Sequence, residues 1–126
     1  QRFTRAMEEV AASDPPDILA AMGKTYVLFA LEHAALFRLM FSAQLRRDNR
    51  PGLRMAADAA FATLRRVTGG ETRAGRVAAL AAWARVHGLA VLLLDGQIAT
   101  EAGEDLEALI TEIIGRHEVA PACSIL

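Results

Sequence analysis

The longest apolar stretch of the chain runs from Val77 to Leu94, and only Arg85 and His87 interrupt it with strongly polar side chains. No proline occurs within it, so the segment is predicted to form one continuous helix that ends at Asp95–Gly96. A helix that is apolar nearly all round must be covered on every side. One small domain covers only part of such a helix, and the remainder predicts a partner subunit.

Apolar residues at helical spacing predict three helices in the first third of the chain. Ser13–Pro16 breaks the chain, and Ser13 or Asp14 can cap the helix that follows. A long pattern then divides into two helices near Glu32–Ala34. The helical segments predicted in this half are Arg2–Ala12 and the two parts of Asp17–Phe41.

The second half of the chain continues the helical pattern. A polar loop is predicted at Ala43–Gly52, followed by a helix from Leu53 to Val67 that ends at Gly69–Gly70. The last helix is predicted at about Glu104–Arg116, and the residues from His117 onward form a tail. No alternating strand pattern and no internal repeat occurs. The sequence therefore predicts an all-α fold of about six helices.

The composition of the chain narrows the range of functions that it could have. The 126 residues carry 14 basic and 15 acidic side chains, and this near-neutral balance lacks the basic footprint of nucleic-acid binding. The one cysteine excludes an intrachain disulfide. Arg85 and His87 lie near the middle of the apolar stretch, where they would be costly in lipid. We therefore expect a cytoplasmic protein with no membrane span, and the arginine- and alanine-rich composition indicates a bacterial source.

Three segments carry a family resemblance. Residues 82–90, AWARVHGLA, resemble the tryptophan–histidine–glycine signature of a TetR-type repressor C-terminal domain. Residues 26–33 and 35–41 resemble the middle helices of the same subfamily, in the same order and at similar spacing. One departure is Ala34, which stands where the pattern has proline. The resemblance covers nearly the whole chain. We expect residues 1–126 to form one ligand-binding and dimerisation domain.

The resemblance implies a mechanism. Such proteins bind operator DNA through an N-terminal helix-turn-helix, which this chain does not include, and a small molecule bound in the body releases the DNA. Their last two helices pair with those of a second copy in a four-helix bundle. The entry helix, Arg2–Ala12, would transmit the change. DNA binding is therefore expected only through a segment upstream of this chain.

Large apolar and aromatic side chains, together with a few polar ones, are predicted to line a ligand cavity between the helices. An apolar or amphipathic effector is expected, with Tyr26 and His87 as its polar contacts. Ordinary core packing is the competing interpretation for each of them. The predicted ligand-binding residues are Tyr26, Phe29, His33, Phe37, Met40, Phe41, Met55, Phe61, Leu64, Trp83 and His87.

The apolar stripe of the last helix is predicted to pack on the central helix, leaving the opposite arc of the central helix to a second copy. A two-fold homodimer is expected. The predicted interface residues are Ala82, Val86, Leu89, Leu93, Leu106, Leu109, Ile110 and Ile113.

Catalysis and metal binding have little support in the sequence. The histidines His33, His87 and His117 lie in three separate segments without a ligand pair at helical spacing. Cys123 has no fixed base beside it, and no glycine-rich phosphate loop occurs. We predict no enzyme activity, no cofactor and no metal.

Two other functions stay open at this point. One is a stand-alone helical carrier of an apolar molecule or haem with no DNA role. The other is a purely structural dimerisation module without a cavity. A basic three-helix segment encoded upstream of Gln1 would favour the regulator. The sequence names neither the ligand nor the operator.

Overall fold

The computed structural model describes residues 2–13, 17–41 and 51–115. All regular structure in these ranges is α-helical, and six helices are present, as predicted. The helices are α1 (Arg2–Ala12), α2 (Ile18–Glu32), α3 (Ala34–Met40), α4 (Pro51–Thr68), α5 (Arg73–Leu94) and α6 (Leu106–Gly115). Most of the predicted polar loop and the tail from His117 lie outside the described residues.

The ends of α2 agree in part with the prediction. Its N-cap is Asp17, whose carboxylate accepts a hydrogen bond from the Ala20 amide at 3.1 Å. The prediction that Ser13 or Asp14 caps this helix is therefore wrong, because the cap lies a few residues further on, at Asp17. At the other end His33 is the shared boundary of α2 and α3. The predicted division near Glu32–Ala34 is confirmed, although no proline forces it.

A tight turn joins α4 to α5. Gly69 and Gly70 adopt φ values of +131° and +65°, which side-chain-bearing residues rarely adopt. Thr72 caps α5 by accepting a hydrogen bond from the Gly75 amide at 2.9 Å. Gly75 packs so closely on this turn that an added Cβ would lie 2.7 Å from the Gly69 carbonyl carbon. This contact fixes where α5 leaves α4.

The core is built around α2, which packs against α1, α3, α5 and α6. Its buried side chains include Met22, Tyr26 and Val27, and α1 contributes Phe3 and Met7 to the same core. Helix α4 closes the opposite side by packing on both α1 and α5. The result is a bundle in which α2 and α5 lie side by side and the shorter helices surround them.

Helix α6 does not pack as predicted. It lies mainly against α2 rather than against the central helix α5. Gly23 permits this approach, because an added Cβ there would lie 3.2 Å from Ile114. Lys24 and Glu107 add an ion pair at 2.8 Å between the same two helices. The side of α5 predicted to pack against α6 is consequently more exposed than expected.

Helix α5 keeps an exposed face along most of its length. Val77 and Leu92 are 49% and 44% exposed, and Ala81, Ala84 and Arg85 are exposed between them. Within the described residues this helix alone has the length and composition to cross a membrane, which is weak evidence because core helices of soluble proteins also pass that test. The exposed side does agree with the prediction that one domain cannot cover this helix.

We predict that Gly75→Ala lowers the free energy of unfolding by about 1–3 kcal/mol, because its methyl group would force the turn at Gly69 away from α5. Gly115→Ala is the matched control, since a Cβ there meets no atom of the described residues within 4 Å. Urea denaturation measures both. Equal stability of the two variants would contradict the close packing of this turn.

Candidate functional site

A small, partly open cavity lies between the helices, lined by residues of α1, α2, α4 and α5 and by Phe41. Its volume is about 40 Å³. Almost every described lining residue is apolar, and none of them carries a charge. The lining residues are Met7, Leu19, Met22, Gly23, Tyr26, Phe41, Ala57, Ala60, Phe61, Leu64, Ala82, Trp83 and Val86.

The polar atoms of the wall bond to each other. The Trp83 Nε1–H group donates to the Tyr26 hydroxyl oxygen at 3.0 Å. The same hydroxyl lies 2.7 Å from Nδ1 of His87. Because the indole N–H can only donate, the hydroxyl accepts from Trp83 and is free to donate its own proton to His87. One tyrosine on α2 thus connects two side chains of α5.

Burial keeps both titratable members of this triad neutral. Burial raises the pKa of Tyr26 well above its ordinary value, and the hydrogen bond from Trp83 opposes this only in part. Burial also lowers the pKa of His87 below its ordinary value of 6.5. A neutral imidazole with an unprotonated Nδ1 is the form that accepts a hydrogen bond from the Tyr26 hydroxyl. The lowered pKa of His87 is therefore consistent with this hydrogen bond.

Aromatic rings surround the triad. The rings of Phe61 and Phe41 lie 5.5 Å and 5.9 Å from that of Trp83, centroid to centroid. The Phe37 ring lies 5.3 Å from that of His87. Such tilted and edge-on pairs add stability beyond burial alone. The triad is therefore held by packing from α3 and α4 as well as by its own hydrogen bonds.

The predicted ligand residues separate into two groups. Tyr26, Phe41, Phe61, Leu64 and Trp83 line the cavity. His87 lies behind the wall, where it is bonded to Tyr26 and packs against the Phe41 ring, and Met55 is 68% exposed on the outer side of α4. The predicted residues that do not line it are Phe29, His33, Phe37, Met40, Met55 and His87.

Sequence reasoning missed the non-aromatic residues of the wall other than Leu64. Met7, Leu19 and Met22 gave a signal, because each lies on an apolar helical stripe, but a stripe does not distinguish a cavity from a core. Gly23 and Ala60 gave no signal, since small residues mark a void only once their neighbours are known. The missed lining residues are Met7, Leu19, Met22, Gly23, Ala57, Ala60, Ala82 and Val86.

The predicted interface residues also lie in different surroundings. Ile110 is fully buried against its own chain, and Leu89 is almost so, whereas Leu106 and Ile113 are exposed. Leu93 and Leu109 are half-buried. Ala82 and Val86 lie in the wall between the cavity and a second, open feature on the other side of α5.

That second feature is a groove of about 400 Å³ between α2, α5 and α6. The exposed Leu92 and Ile113 and the half-buried Gly88 line it. A Cβ added at Gly88 would meet no atom of the described residues within 4 Å. The open face of α5 thus passes through Ala81, Gly88 and Leu92. Each of these residues immediately precedes a predicted interface residue of the same helix.

Metal ligands do not converge in the described part of the chain, where no three His, Cys, Asp or Glu side chains are grouped to hold an ion. His33 instead stacks on Phe29 at 4.6 Å between ring centroids. The arrangement offers an apolar space with an internally bonded polar triad at its edge, which suits binding rather than acid–base chemistry.

We predict that the free energy of unfolding falls as the pH is lowered through 6.5, in part because of His87. The pKa of His87 is lowered in the folded protein, so the unfolded chain binds a proton first and acid favours unfolding. His87→Gln retains an acceptor for the Tyr26 hydroxyl but does not titrate. Denaturation at pH 7.5 and pH 5.5 should show a smaller loss for this variant than for the wild type, and equal losses would contradict the assignment.

Comparison with known proteins agrees with the sequence resemblance. The family model of tetracyclin repressor-like C-terminal domains matches residues 19–117, well over half of the chain. The matched range contains every lining residue of the cavity except Met7. Neither the curated proteins nor the solved structures gave a match. The chain belongs to the family of tetracyclin repressor-like C-terminal domains.

Proposed function

We propose that this chain is the ligand-binding and dimerisation domain of a TetR-like transcriptional regulator of the tryptophan–histidine–glycine subfamily. The family match supports a regulator domain, and a cytoplasmic location and the absence of enzyme activity form part of the proposal. A small molecule bound in the cavity would release operator DNA held by a helix-turn-helix segment upstream of this chain. The observation that carries the proposal is the apolar cavity to which α1 contributes Met7.

The size of the cavity indicates how a ligand would act. Its volume of about 40 Å³ is far below the 300–1,000 Å³ or so of typical ligand sites. A ligand of ordinary size would therefore have to displace part of the wall. The pair α2–α5 is held by the hydrogen bonds of Tyr26, and α4 is tied to α5 by the bond from the Thr68 hydroxyl to the Gly75 carbonyl oxygen, whereas α1 reaches the cavity through the apolar Met7.

Displacement of α1 would link the cavity to the DNA. Helix α1 packs on both α2 and α4, and Met7 reaches the cavity from it while being almost fully buried. Because α1 precedes the rest of the domain, its movement would change the position of any upstream segment. A ligand that prefers the displaced arrangement shifts the population towards the form that does not hold DNA.

Bromobenzene tests the cavity, because bromine quenches tryptophan fluorescence on contact and Trp83 is the only tryptophan of the chain. We predict saturable quenching in the wild type. Ala60→Val adds two methyl groups inside the cavity and should weaken the binding roughly tenfold or more. Ala62→Val, on the exposed side of the same helix, is the matched control and should bind as the wild type does.

The proposal of a binding cavity fails if the quenching is weak, linear in bromobenzene and the same in all three proteins. Saturable quenching that Ala60→Val leaves unchanged would place the binding elsewhere. Native mass spectrometry of the protein as purified adds an independent measurement, since a retained small molecule would appear as extra mass.

Dimerisation is proposed through the open face of α5 and the neighbouring side of α6. Val77, Leu92, Leu106 and Ile113 leave apolar surface exposed there. Fully burying such side chains contributes about 1.5–3 kcal/mol each. The open space beside Gly88 would admit a helix of a second copy at close range. This arrangement supports the four-helix bundle that the family resemblance implies.

We predict that the wild-type chain sediments as a dimer and that Leu92→Glu shifts it to a monomer, because a charge would be buried without a partner. Met55→Glu is the control, since Met55 is even more exposed but lies on α4, away from this face. Sedimentation velocity measures both variants. A monomeric wild type, or an equal effect of the two substitutions, would contradict this interface.

A further inference from the structure

Among the described residues that line the cavity, two carry polar side-chain atoms, Tyr26 and Trp83. Both are already used, since the Trp83 N–H donates to the Tyr26 hydroxyl at 3.0 Å. The hydroxyl in turn lies 2.7 Å from Nδ1 of His87, which lies behind the wall. No buried side-chain nitrogen or oxygen of the described residues lacks a hydrogen-bond partner. A molecule in the cavity would find no side-chain donor or acceptor waiting for it.

Charge complementarity is missing as well. None of the lining residues that the structure describes is acidic or basic. A carboxylate or an ammonium group placed there would lose its hydration and gain no ion pair from these residues, which disfavours binding of a charged ligand. An uncharged hydroxyl would also lose its water hydrogen bonds without replacement. The wall instead presents the rings of Phe41, Phe61 and Trp83 to its occupant.

From this arrangement we propose that the cavity selects compact, neutral, apolar ligands, and that Tyr26 is the residue that determines this selectivity. Its hydroxyl occupies the Trp83 donor and the His87 acceptor together and so removes both from the ligand. The inference rests on the proposed ligand-binding function and narrows its effector from apolar or amphipathic to apolar.

Tyr26→Phe should reverse part of the selectivity. The variant keeps the ring and removes the hydroxyl, so that the Nε1–H of Trp83 and Nδ1 of His87 lose their shared partner. The lost oxygen also leaves a space next to both groups. A ligand hydroxyl placed in that space can accept from Trp83 and donate to His87, as the tyrosine hydroxyl did.

Benzene, phenol and benzoate are suitable probes, because they share one ring and differ in polarity and charge. Trp83 gives the only indole N–H signal in a ¹H–¹⁵N spectrum of the chain, and this signal lies in the cavity wall. We expect benzene to shift the signal saturably in the wild type, phenol to bind no more tightly than benzene, and benzoate to cause no saturable shift. In Tyr26→Phe, phenol should bind about tenfold more tightly relative to benzene, as expected for regained hydrogen bonds.

The outcomes separate this inference from the proposed function. If no probe shifts the signal saturably, the ligand cavity itself is wrong. If benzoate binds as well as benzene, or phenol binds wild type more tightly than benzene does, the cavity stands and the selectivity is overturned. The wild-type comparison needs no variant, so it decides the question even if Tyr26→Phe does not fold. An unchanged phenol-to-benzene ratio in a folded Tyr26→Phe would overturn the role of Tyr26.

Discussion

The hydrogen bonds of the Tyr26 hydroxyl are the interaction on which the rest of this structure depends. They satisfy Trp83 and His87, two residues whose polar atoms would otherwise be costly on an apolar helix. Since Tyr26 lies on α2, satisfying them holds α2 against α5. The remaining helices pack around this pair, and the internal bonding leaves the adjacent cavity apolar.

The hydrogen-bonded pair α2–α5, with α4 tied to α5 at the Thr68–Gly75 bond, contrasts with the way α1 meets the cavity. Met7 of α1 completes the cavity wall by apolar contact. Non-directional contacts tolerate a shift that hydrogen bonds of fixed geometry resist. A domain of this construction could respond to an occupant by moving α1 while α5 stays in place, which is what the proposed regulator requires.

Helix α5 also separates the two features that the proposed function needs. Ala82 and Val86 lie in the wall of the cavity on one side and in the wall of the open groove on the other. Leu19 of α2 does the same. A ligand and a second copy of the chain would thus contact opposite sides of the same few side chains. The small size of Ala82 makes that partition thin, so an occupant on either side is close to the other.

The sequence by itself determined the number and order of the helices and several of their ends, because the glycines at 69–70 and 96 act within a few residues. It also contained the spacing of Trp83 and His87 that places both side chains on one helical face. It did not determine which arc of α5 is open, since a helix apolar nearly all round has no periodicity to fix its rotation.

The partner of α6 and the lining of the cavity were likewise decided by tertiary packing. The close approach allowed by Gly23 placed α6 on α2, and a void depends on the side chains that surround it rather than on any one of them. Met55 and Met7 illustrate the difference, since both lie on apolar helical stripes but only Met7 reaches the cavity. Local sequence pattern set the elements, and contacts between residues distant in sequence set their rotation and their neighbours.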